Sequence, residues 1–255
     1  MNATELFQSG KLQEAIRALG DEVRNSPLDA RRRTFLFELL CFAGEYDRAE
    51  KHLDILGDAN PGARMGTLLY RSAIHAERTR QKMFAERSYP AAKPEVAFSG
   101  TRNGSFIGSF ADADERIQGS LEVFVAGSYT WISVEHIAAI EVPKPRRLRD
   151  LLWTPAIVTT APSYSAMELG EVLLPVIAPL SFKHTDEMVR LGRSTVWEAT
   201  ESGYVPFGQK TFLVDGQEVP ILELGKIVLS AAVGEGRAVS ALGPAESPAR
   251  YQSQG

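Results

Sequence analysis

Between residues 10 and 61 the chain carries the same punctuation twice. Gly10, Leu12, Ala15, Leu19 and Pro27 recur as Gly44, Tyr46, Ala49, Leu53 and Pro61, each pair at one offset of 34 residues. That period belongs to helix–turn–helix repeats of the tetratricopeptide kind. Glycine turns the chain between two helices at little steric cost, a small alanine lets the helices approach, and proline ends the second helix. One such pair cannot bury its apolar face alone. Neighbours must stack, and stacked pairs leave a concave face suited to holding a peptide. The competing reading is two ordinary helical hairpins whose spacing coincides.

The spacing predicts helices over residues 4–9, 11–25, 31–42, 46–56 and 65–87. Leu12, Ala15, Ile16, Leu19 and Val23 fall on one face of the second. Asn2 or Thr4 caps the first helix and Asp29 the third. The third is apolar nearly all round from Phe35 to Phe42, so it is buried on both sides or presents a spare face to a partner. In the fifth, Arg78 stands where the next repeat glycine would fall, which predicts a terminal cap. Residues 88–104 hold Pro90, Pro94, Gly100 and an Asn103-Gly104 turn, and read as a linker or as a loop within one domain.

Beyond residue 105 the period changes. Residues 121–125 and 129–133 predict a hairpin, as do 211–214 and 218–224 around Asp215-Gly216. Residues 140–142, 155–160, 170–177 and 227–229 are further strands, and Thr185 caps a short helix closed by Gly192. Trp131, Trp153 and Trp197 are expected to anchor this half. The expected fold class is therefore α+β in two domains: tetratricopeptide-like helical hairpins over 1–87, a linker over 88–104, a mainly antiparallel α+β domain over 105–230, and a disordered tail over 231–255.

The chemistry-bearing residues are sparse. Net charge is −4, which does not suit a protein that coats nucleic acid or an anionic membrane. No apolar run approaches the ~18–20 residues that span a bilayer, and the first 20 residues show no apolar signal core. Cys41 is the only cysteine, so neither an intrachain disulfide nor a cysteine-based zinc site is available, and a cytoplasmic setting is expected. The four histidines are isolated, no Gly-x-Ser-x-Gly elbow occurs, and the glycine-rich residues 100–108 lack the Lys-Ser/Thr ending of a phosphate loop. Nothing calls for a cofactor. Asp112, Asp114 and Glu115 form the densest acid cluster, and the enzymatic alternative is a metal-assisted hydrolase built on them. The bland reading is a loop or helix start. The basic run Lys144, Arg146, Arg147 and Arg149 reads as a solvated edge or an interdomain contact.

Several separate blocks carry a family likeness. Residues 109–116, 121–123, 148–153 with Pro155-Ala156, 188–193 and 209–220 resemble the ImpE family, and residues 32–44 and 47–50 are similar to its N-terminal signature. The resemblance implies a cytoplasmic, non-catalytic accessory factor of bacterial type VI secretion. Its implied partner is the N-terminal helix of the small sheath subunit, with a link to sheath recycling. The segment 88–104 is shorter than is usual in the family. Setting the repeat frame on Gly44 places Arg31, Thr34, Glu38, Cys41 and Phe42 on the concave side, and these are the expected partner contacts. The bland reading puts Cys41 and Phe42 in the core against the second half.

Overall fold

A computed structural model describes residues 1–59, 61–94, 97–162, 164, 169–200 and 203–231. The repeat becomes two helix pairs, α1 (Ala3–Gln8) with α2 (Leu12–Asn25) and α3 (Ala30–Phe42) with α4 (Tyr46–Ala59). Gly10 and Gly44 turn the chain at φ +82° and +73°, which side chains bearing a Cβ rarely adopt. Asn2 opens α1 with a capping box, and the Asp29 carboxylate accepts the Arg31 and Arg32 N–H groups at the head of α3. The five apolar residues expected on one face of α2 are all buried. A longer α5 (Arg64–Ala85) ends the helical half.

The remainder is β-rich. In chain order the strands are β1 (Ala97–Arg102), β2 (Ser105–Asp112), β3 (Ser120–Val125), β4 (Ser128–Ser133), β5 (Ile137–Glu141), β6 (Trp153–Thr160), β7 (Gly170–Pro175), β8 (Thr195–Thr200), β9 (Gly203–Gly208), β10 (Thr211–Val214), β11 (Gln217–Pro220) and β12 (Lys226–Ala231). Ten form one antiparallel sheet in the order β11–β10–β2–β1–β12–β5–β6–β7–β3–β4, and β8 pairs with β9. The approach to β10 bonds back to the end of β7. The Lys210 N–H donates to the Val176 carbonyl at 2.8 Å, and Gln209 bridges Ile177. Strands from opposite ends of the sheet order thus meet.

Strand β3 joins two cores. Its alternate residues Leu121 and Val123 enter the sheet core with Phe110, Ile140, Val158, Leu174 and Phe212. Phe124 points the other way and joins the helical core, together with Leu152, Trp153 and Leu191 from the β-rich half. The two halves therefore share a core rather than meeting across a linker. One segment sews them together from outside. Phe182 lies against the Gly44 turn and Met188 against the Gly10 turn, so the two repeat glycines also make room for contacts from one later stretch. Glu187, in the single-turn α6 (Glu187–Arg190), accepts the Gln13 N–H at 3.0 Å at the start of α2, and the Arg193 guanidinium donates to the Gln8 carbonyl and lies 4.5 Å from the Phe7 ring centre.

Several expectations need correction. Residues 97–102 of the expected linker form β1, paired on both sides by β2 and β12. Of the acid cluster, Asp112 ends β2 while Asp114 and Glu115 lie in the loop that follows, so the loop reading holds there and no helix starts. The helix after His184 is capped by Asp186, whose carboxylate reaches the Met188 N–H, not by Thr185. The hairpin β8–β9 was not expected from the sequence, and Trp197 sits half-buried on it rather than in the sheet core. Apart from Ala231, which ends β12, the expected tail lies outside the described residues.

Gly44→Ala is expected to cost about 1–3 kcal/mol of stability, since it adds a strained φ to an overlap with the Phe182 ring. Gly20→Ala, in the body of α2 where a new Cβ meets nothing within 4 Å, should gain roughly 0.5–1 kcal/mol. Melting curves of the two variants check this, and equal shifts would contradict it.

Candidate functional site

The five expected contact residues separate. Arg31 is exposed at the head of α3, and Thr34 is half-buried with its hydroxyl donated to the Ala30 carbonyl. Glu38, Cys41 and Phe42 are 7%, 3% and 2% exposed. Leu152, Trp153, Ile177 and Phe182 of the β-rich half sit where a partner helix was expected, leaving beside Cys41 and Phe42 a pocket of about 20 Å³, room for roughly one water. The hollow of the helical pairs is thus filled by the chain itself. Helix α3 is apolar all round because it is covered on both sides. Burial raises the Cys41 thiol well above its ordinary pKa, so the residue is a small buried hydrophobe.

The hydrolase alternative fares no better in geometry. Asp112 is salt-bridged to Lys210 at 2.6 Å, the Arg116 guanidinium binds Asp114 at 2.6 Å, and Glu115 is exposed. Among the described residues no three His, Cys, Asp or Glu side chains gather as metal ligands. Of the three, only Asp112 belongs, through Lys210, to a buried ionic joint.

Arg80 of α5, 1% exposed, is its centre. Its Nε and Nη2 donate to the two Glu122 oxygens at 2.7 and 3.1 Å, and its Nη1 donates to Glu77 at 3.1 Å and to the Ile177 carbonyl at 3.0 Å. Glu77 also accepts the Trp153 indole N–H at 2.8 Å. Glu122 further accepts from Lys210 and from the Tyr129 hydroxyl, which itself accepts the Trp131 indole N–H. Next along α5, Gln81 accepts the Leu180 N–H at 2.7 Å. One turn of α5 thus grips β3, β6 and the segment after β7. Burial alone would raise the Glu122 carboxyl, but Arg80 and Lys210 outweigh it and hold it below the ordinary carboxylate range. Burial pushes Asp112 up to about 6 against the pull of Lys210.

A second buried acid lies nearby. Burial pushes Glu38 up to about 7, opposed by Arg149, whose Nη1 is 3.7 Å away and whose guanidinium lies 4.5 Å from the Tyr70 ring centre. The basic run therefore divides: Arg149 turns inward between the halves, while Lys144 and Arg146 are exposed.

The joint covers only the C-terminal half of α5. The N-terminal half exposes Met65, Leu68 and Leu69 at 78%, 59% and 49%. With Phe124, Val172 and Leu173 from β3 and β7, and the Ala126-Gly127 turn, they line an open apolar groove of about 500 Å³. Residues at i, i+3 and i+4 share a helix face, the spacing by which one helix receives another. This spacing was legible in the sequence, but which face of α5 the sheet would leave bare was not.

Two measurements check the electrostatics. Arg80→Met strands Glu122 and Glu77 without their shared cation and is expected to cost roughly 3–5 kcal/mol, part of it recovered in Arg80→Met with Glu122→Leu. For Glu38, the folded value near 7 lies above the ordinary 4.5, so its favourable contribution is complete below pH 4.5 and is lost as the pH rises through 7. Glu38→Gln should therefore gain on the wild type by on the order of 2 kcal/mol between pH 5 and pH 8, read from denaturant midpoints.

Comparison with known proteins agrees with this architecture. The family model described as ImpE protein matches residues 104–228. The type VI secretion system accessory component TagJ of Pseudomonas aeruginosa is 31% identical over 261 aligned residues, covering 89% of this chain and 90% of that protein. An X-ray crystal structure of a Vibrio parahaemolyticus protein shares the fold, with a TM-score of 0.78 at 21% identity over 91% of this chain and 98% of that one. The 31% identity to TagJ over about nine-tenths of both chains, together with the ImpE match across the sheet, shows that the chain belongs to the ImpE family.

Proposed function

We propose that the chain is a non-enzymatic, cytoplasmic adaptor of a bacterial type VI secretion system. Its helical pairs are tetratricopeptide-like, and its partner is an amphipathic helix, the N-terminal helix of the small sheath subunit, with a link to sheath recycling. The relative named as an accessory component of that system supports the pathway. The observation that carries the binding mode is the bare half of α5. A helical stack ends where its last helix finds no neighbour. Here the sheet takes the neighbour's place along only half of α5, and Met65, Leu68 and Leu69 remain uncovered beside Phe124 and Leu173. An amphipathic helix laid there completes the stack by helix-in-groove capture. The contacts move accordingly from α3 to α5, because Glu38, Cys41 and Phe42 are already covered.

Titration of a peptide of the sheath subunit's first helix tests this. Leu68→Asp with Leu69→Asp should weaken binding at least about tenfold, as expected for exposed apolar anchors, with little change in melting temperature. Arg31→Ala should leave the affinity as it is. Unchanged binding by the double variant would remove the groove, and no binding by the wild type would remove the partner.

A further inference from the structure

The groove is unlike on its two sides, and we infer that it selects a helix with split charge: acidic along the flank that meets α5, basic along the flank that meets β7. This rests on the groove reading above. On the α5 side, Arg64 is exposed, precedes Met65, and lies one turn before Leu68 on the same side of the helix. It makes no ion pair among the described residues, whereas Arg71, further along, is paired with Asp54. Arg64 also opens α5, where Ala63 supplies no side-chain cap and the first turn holds no acid. A cation there faces the positive end of the helix dipole, an arrangement that an incoming carboxylate relieves. The opposite wall carries Glu171 of β7, exposed and likewise without an ion pair among the described residues. A helix laid between them meets a cation on one flank and an anion on the other. Turning it end for end exchanges its flanks, so the same charges set its direction.

The test uses three designed 18-residue helical peptides with one leucine stripe. One carries Glu on one flank and Lys on the other, one Glu on both, and one Lys on both. Affinities are read by fluorescence anisotropy at low salt. The split peptide should bind about three- to tenfold tighter than either uniform peptide, as expected for rim charges. Glu171→Lys should restore the all-Glu peptide and Arg64→Glu the all-Lys peptide. Affinities within twofold of one another, or preferences that neither substitution moves, would overturn the charge order and leave the groove standing. Failure of all three to bind, or binding that survives Leu68→Asp, would overturn the groove and this inference with it.

Discussion

A guanidinium with almost no access to water sets the form of this protein. Arg80 satisfies Glu77 one turn back on its own helix, Glu122 of β3 and the Ile177 carbonyl after β7. Desolvating so many charges is costly, and well-packed apolar residues often serve stability as well or better. What the ions add is geometry. A hydrophobic face tolerates sliding, whereas a bidentate arginine–carboxylate pair with a lysine and an indole N–H around it fits one relative placement of helix and sheet. The joint fixes how α5 lies on β3, and so which part of α5 is left over.

Strand β3 makes this possible. Its alternate residues serve two cores, with Glu122 and Phe124 toward the helices and Leu121 and Val123 into the sheet. Phe124 also packs edge-on against Tyr129, whose hydroxyl bonds Glu122. The floor of the groove and the ionic joint are therefore neighbours on one strand. A rigid floor beneath an uncovered helix is what a groove needs to take a partner without first reorganising.

The helical half was legible because its signals are local. Gly10 and Gly44 turn as their spacing requires, and Asp29 caps where it was expected to. The β-rich half was legible in its tight hairpins, β3–β4 and β10–β11, whose turn residues speak for themselves. Strand β1 was hidden by the prolines and Gly100 around it, and that glycine is needed because a Cβ there would press on the Val228 carbonyl. Long-range pairing was invisible. Nothing near Phe42 tells that Phe182 and Trp153 will cover it, and nothing near Asp112 tells that Lys210, 98 residues on, will neutralise it. Glu38, Cys41 and Phe42 are covered for this reason, as the core reading of the last two had it: an apolar helix face read from sequence does not say whether a partner or the chain itself covers it.

Hydrogen exchange with and without the sheath-subunit peptide tests the central claim most directly. Slowed exchange along residues 65–73 of α5, together with residues 124–127 and 171–173, is the predicted result. Protection confined to residues 31–42 of α3, with α5 unchanged, would contradict it.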